Sequence, residues 1–148
     1  MKKSFIFLII AFSSLTFLYF TNKNKSGYWS CENNRWKKHG NPKHPQPKVS
    51  CPKKISLPKT KEDCQKQGGV WKKWGLSPVE SCNLKTNDDG NPCQDSSECE
   101  GICKVNLTKE ELRKKTFNKN LGQCSEWLLN FGCFGKMEKG KVRVVCVD

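Results

Sequence analysis

Residues 133–146 read "CFGKMEKGKVRVVC", two cysteines closing a stretch that alternates small or apolar residues with charged ones. The alternation is that of a β-hairpin turning at Lys139-Gly140. In that register opposed residues have numbers summing to 279. Met137 faces Val142, Gly135 faces Val144 and Cys133 faces Cys146 on one apolar face, and Glu138 faces Lys141 on the other. Counting out from the turn places the two cysteines at a non-hydrogen-bonded site. Side chains approach closest there, and a Cα separation of ~4.5 Å suits a disulfide. The stretch therefore predicts a C-terminal hairpin (about 133–147) closed by a Cys133–Cys146 bridge.

Working outward, the chain of 148 residues carries ten cysteines: Cys31, Cys51, Cys64, Cys82, Cys93, Cys99, Cys103, Cys124, Cys133 and Cys146. An even number at this density reads as a disulfide framework in an oxidising compartment. No two cysteines have the two-residue spacing of exchange enzymes, which argues against redox catalysis. The N-terminus supplies the export route. Lys2-Lys3 precede an apolar run from Phe5 to Phe20, so residues 1–21 read as a signal peptide or an N-terminal membrane anchor. The expected location is periplasmic or extracellular, with tethering by that segment if it is retained.

Charge divides the remainder of the chain. Residues 22–61 hold eleven Lys/Arg against Glu32 alone, a local +10, whereas residues 62–148 hold fourteen basic and thirteen acidic side chains. With Lys2 and Lys3 these make the net charge of +13. Segment 22–61 also holds Pro42, Pro45, Pro47, Pro52 and Pro58, and reads as an extended, partly polyproline-like basic arm. Its two cysteines could close their own loop as Cys31–Cys51. Residues 62–148 form a cysteine-rich domain, small enough for bridges to supplement its core. The pairing of Cys64, Cys82, Cys93, Cys99, Cys103 and Cys124 stays open.

Within the domain, "LTKEEL" at 107–112 starts a helix. Thr108 is the N-cap, Glu111 completes a capping box, and Leu107 and Leu112 are placed as a hydrophobic staple. One short helix over about 109–119 is expected before Gly122. Val70–Trp74 reads as a short strand after the Gly68-Gly69 turn, and "TNDDGNPC" as a loop of turn formers. The fold class is a small disulfide-rich, irregular α+β fold with short antiparallel strands.

The chemistry on offer is limited. Both histidines, His39 and His44, lie in the arm, so the domain lacks the usual general base. Asp88 and Asp89 sit in a turn and are expected to bond local backbone. The reading is not an enzyme. Cys31, His39, His44 and Cys51 could in principle bind zinc, but their spacing matches no zinc pattern, and no cofactor is expected. "CQDSSECEGICK" at 93–104 offers three cysteines without a histidine and reads as a staple, with Asp95, Glu98 and Glu100 on its solvated face. Trp71, Trp74 and Trp127 read as packing supplements to the bridges.

The arm carries the binding candidates. Lys37, Lys38, Lys43, Lys48, Lys53, Lys54, Lys59 and Lys61 are interleaved with Trp29 and Trp36. Such a mixture suits a polyanion: an anionic membrane surface or an envelope polymer, rather than chromosomal nucleic acid in an exported protein. A protein partner is the other candidate, the domain then acting as an inhibitor or toxin-like effector of a secreted hydrolase, with loop 84–92 entering an active site.

From Cys64 onward "CQKQGGVW", "ESCNLKTNDDGNPCQDSSECEGIC", "GQCSEW", "GCF" and "VCVD" resemble small cysteine-rich exported proteins of Gram-negative bacteria, which carry a signal or lipoprotein leader and no assigned activity. The likeness covers about 85 of the 148 residues. The middle segment is also similar to short disulfide motifs of the Dickkopf and colipase type. The resemblance implies a bacterial envelope protein with no catalytic residues to carry over, and does not reach the arm.

Overall fold

The computed structural model describes residues 26–48, 50–53, 55–114, 117 and 119–148. The expected signal or anchor at 1–21 lies outside them. The described fold is small and disulfide-rich, built mostly from short antiparallel strands with little helix, β1 and β3 pairing in parallel. Strands β1 (Ser26–Glu32), β2 (Arg35–His39) and β3 (Asn41–Pro42) form one sheet in the order β2-β1-β3. Helix α1 (Lys61–Lys66) precedes a two-stranded sheet of β4 (Val70–Lys73) and β5 (Glu80–Asn83). The main sheet runs β10-β9-β7-β8-β6. It comprises β6 (Pro92–Cys93), β7 (Cys103–Val105), β8 (Gly122–Cys124), β9 (Gly132–Glu138) and β10 (Lys141–Val147). A 3₁₀ turn spans Ser96–Glu98 and helix α2 spans Lys109–Lys114.

The C-terminal hairpin has the register counted from its turn. Lys141 pairs with Glu138 and Cys146 with Cys133, whose Cα atoms lie 4.1 Å apart in the disulfide. Lys139 and Gly140 both have positive φ, 52° and 70°, the type I′ geometry that matches strand twist. A lysine is poorly suited to the first of these positions. It is held there because its N–H donates to Asp95 Oδ2, while the Gly140 N–H donates to the Gln94 carbonyl. Gly135 answers a different need. A Cβ there would lie 3.0 Å from Val105 Cβ and 2.9 Å from Val142 Cγ1, so only glycine lets β9 pass this close to β7.

Two small clusters form the core. The first gathers Cys93, Cys99, Cys103, Val105, Cys124 and Met137, with Leu107 and Val142 against it. The second gathers Cys64, Cys82 and Leu84, with Ile55, Leu57, Trp71 and Leu128. The five bridges are Cys31–Cys51, Cys64–Cys82, Cys93–Cys103, Cys99–Cys124 and Cys133–Cys146, and no cysteine among the described residues is free. Such a set belongs to an oxidising environment, and the protein is exported or extracellular.

Three expectations need correction. Segment 22–61 is not an extended arm throughout. Asn33 and Asn34, at φ 52° and 59°, make a type I′ turn that pairs β1 with β2, and among the described residues the stretch between β3 and α1 lacks regular structure. Nor is it free of the domain. The Cys31 N–H donates to Ser97 Oγ, and Ile55 and Leu57 pack into the second core cluster. Second, the described residues hold two short α-helices where one is expected. Helix α1 is capped by Thr60, whose Oγ1 accepts from the Asp63 N–H, and its Cys64 is fully buried in the bridge to β5. Third, α2 has the capping box, with the Thr108 N–H donating to Glu111 and the Glu111 N–H to Thr108, but it ends at Lys114 rather than near 119. Phe117 and Lys119 are not helical, and Lys119 instead reaches back to the Asn106 carbonyl and Glu111.

Replacing Lys139 by asparagine, which tolerates positive φ, is expected to raise stability by about 1 kcal/mol in urea unfolding. Met137→Ala, which empties the centre of the first cluster, is expected to cost about 2–5 kcal/mol in the same measurement. An intact mass that failed to rise by about ten units on reduction, two hydrogens per bridge, would contradict the framework.

Candidate anion-binding face

Strand alternation divides the first hairpin into two faces. On one, Tyr28 lies opposite His39, Ser30 opposite Lys37 and Glu32 opposite Arg35; on the other, Trp29 lies opposite Lys38 and Cys31 opposite Trp36. The first face is internally tied. Tyr28 and His39 stack with ring centres 4.5 Å apart. Lys37 Nζ lies 2.8 Å from Glu32 Oε2, and Ser30 Oγ donates to Glu32 Oε1 at 3.0 Å. The Lys37 hydrogen bond, then that of Ser30, holds the Glu32 carboxyl below its usual range, and the same carboxylate raises Lys37. His39 Nε2 meets both Ser30 Oγ (2.8 Å) and Glu32 Oε1 (3.1 Å). A serine–histidine–carboxylate relay needs its serine and carboxylate on opposite ring nitrogens, so this trio braces the strand pair instead.

The second face carries Trp29, Lys38 and Trp36. The indole N–H of Trp29 donates to the His44 carbonyl at 3.0 Å, and Cys31–Cys51 anchors the proline-rich return of the chain. The two tryptophans are half-buried. Lys38, Lys43, Lys48, Lys53, Lys59 and Lys61 are exposed, as is the Glu32-paired Lys37, and Lys54 lies outside the described residues. The structure thus places Lys37 and Lys38 on opposite faces, Lys43, Lys48, Lys53 and Lys59 along the return strap, and Lys61 at the start of α1. Lys53 lines a cleft of about 590 Å³ together with Asp88, Glu98 and Glu100.

Asp88 accepts from backbone, as expected of it, and Asp95, Glu98 and Glu100, expected on a solvated face, are structural acceptors too. Glu98 Oε1 accepts from the N–H groups of Gln94 and Asp95, both at 2.8 Å, closing a capping box with Asp95. Glu100 accepts from the Asn87 N–H, and Asp88 from the Glu100 N–H. These bonds, with the Gly90 N–H donating to the Cys124 carbonyl, hold loop 84–92 to the body. The Sγ atoms of Cys93, Cys99 and Cys124 lie within 4.8 Å of one another because two disulfides pack side by side, so they offer no thiolate to a metal. In the arm's Cys2His2 set, the two cysteines are bridged to each other.

Comparison with family models, with curated proteins and with solved structures gives no match. Among the described residues no helix is long and apolar enough to cross a membrane.

Glu98 yields a pH test. Burial raises its carboxyl above the usual range, with the Asp95 charge adding to the shift and the two backbone N–H donors opposing it. Within the window between the ordinary carboxylate value and this raised one, the folded state binds the proton more tightly than the unfolded state. The Glu98 contribution is therefore most favourable at low pH and declines as pH rises through the window. Glu98→Gln keeps an acceptor oxygen and removes the charge. Its urea midpoint relative to the parent should climb as pH rises above the ordinary carboxylate value, and a flat difference would refute the assignment.

Proposed function

We propose that this is an exported, disulfide-stabilised binding module of the bacterial envelope that attaches to an anionic surface through its lysine-rich N-terminal sheet and strap. The observation that carries this reading is charge segregation on a rigid support. Residues 22–61 hold a local +10 against +1 for the remainder up to 148, and every described lysine of the candidate set is exposed. The sheet, the Cys31–Cys51 bridge and the docking of β1 onto the 3₁₀ turn give the described lysines of this segment a common support. A fixed array of like charges focuses potential toward an opposite surface. Among the described lysines of the set, Lys37 is paired with Glu32, which reduces its contribution. The domain has no histidine, and the module is read as non-enzymatic and free of cofactors.

Heparin is the probe that separates charge from lipid. Retention on it should fall steeply with added salt and drop at least ~tenfold in affinity for Lys38→Gln/Lys43→Gln/Lys48→Gln, with Lys37→Gln having little effect. Retention that is insensitive to salt and to the triple substitution would overturn the reading.

A further inference from the structure

Four large apolar side chains among the described residues are conspicuously exposed, and three of them belong to the β4–β5 hairpin: Val70, Leu76 and Val79. The two most exposed, Leu76 at 83% and Val79 at 66%, sit together at its tip. Scattered single exposures of this kind carry no meaning, but two on one turn form a prominence. This tip is also held open. The Ser77 N–H donates to the Trp74 carbonyl, and Ser77 Oγ bonds the Val79 backbone. Behind it Trp74 is fastened twice, by its indole N–H to the Ser81 carbonyl at 2.9 Å and by stacking on Phe131 at 5.5 Å. A tip free to move would fold its leucine back onto the body. This one presents it outward.

The collar behind the tip has a matching chemistry. Trp71 and Trp74 are half-buried, and Lys72 and Lys73 are exposed, with Lys72 Nζ 4.3 Å from the Trp74 ring. An apolar point, then the Trp74 indole, then Lys73 and Lys72 is the order in which a membrane interface is layered, acyl chains, headgroup boundary, phosphates; Trp71, opposite Cys82, lies deeper in the hairpin against the second core cluster. We infer that the 74–79 tip inserts Leu76 and Val79 into the outer part of an anionic phospholipid bilayer. This rests on the reading that the protein works at an anionic surface and names that surface as lipid. Two acidic residues border the tip, Glu80, which accepts from the Trp71 indole, and Asp148, whose backbone packs on Gly75. Local charge is therefore balanced, and recruitment comes from the net +13 of the chain while retention comes from the apolar tip. A protein partner fits less well. The tip is convex and two side chains wide, whereas a protein interface needs a broad complementary patch; a bilayer accommodates a convex point without a pocket.

The test is hydrogen exchange on the full oxidised chain with phosphatidylglycerol-containing vesicles, comparing the parent with Leu76→Ser/Val79→Ser. The apolar run Phe5–Phe20 can itself hold the chain on vesicles, so the readout is the local exchange of residues 74–80. Vesicles should slow these amides about tenfold or more in the parent and not in the variant. Unchanged exchange of 74–80 in chains that sediment with vesicles overturns the insertion while leaving anionic attachment intact. Protection of 74–80 at high protein concentration without lipid overturns it too, and makes a second copy the occupant. Heparin retention, which needs no bilayer, reports independently on the lysine platform and should be the same for parent and tip variant.

Discussion

The packing of two disulfides against each other, Cys93–Cys103 beside Cys99–Cys124 with Met137 over them, is the constraint on which the rest of the fold depends. Val105 is the one aliphatic residue among the fully buried members of that cluster. Burial of so few carbons cannot outweigh the entropy of ordering a chain this rich in turns. Cross-links offset the deficit by restricting the unfolded ensemble. They also bring turn-rich backbone close together, and its N–H groups then need acceptors. Asp88, Asp95, Glu98 and Glu100 supply them, which is why a stretch that reads as an acidic surface loop turns out to be a hydrogen-bonded scaffold.

Short-range chemistry is readable where the deciding partners are close in sequence. The hairpin register comes from a two-residue turn and strict alternation, and the Thr108–Glu111 box from a four-residue signature. The same rules apply at two places where surrounding prolines and lysines mask them. Asn33-Asn34 is a type I′ pair between alternating segments, and Thr60-Lys61-Glu62-Asp63 is a capping signature opening a helix. Long-range contacts leave no such local mark. Nothing near Cys31 announces that its N–H meets Ser97, and nothing in the proline-rich strap announces that Ile55 and Leu57 complete a core with Leu128.

The candidate surface is legible to a similar degree. Composition identifies which lysines are free to bind, since unpaired lysines in a segment with a single acid stay solvated. Strand alternation alone, once the hairpin is recognised, puts Lys37 and Lys38 back to back, and pairing with Glu32 subtracts one of them. The apolar tip at 76–79 is invisible in the sequence for the opposite reason. Leucine and valine in a small domain are expected inside, and only the three-dimensional fold shows that these two have nowhere to go.

The order of the bridges along the chain bears on how the protein matures. Cys31–Cys51, Cys64–Cys82 and Cys133–Cys146 each join neighbouring cysteines, so a chain threading out of a translocation pore can close them one after another as they emerge. The central four are interlaced, Cys93 with Cys103 and Cys99 with Cys124. Joining neighbours there gives Cys93–Cys99 and Cys103–Cys124, a mispaired centre between correctly closed ends. Vectorial oxidation and native connectivity thus disagree at one locus, the same locus that forms the core, and a shuffling catalyst in the receiving compartment would act there.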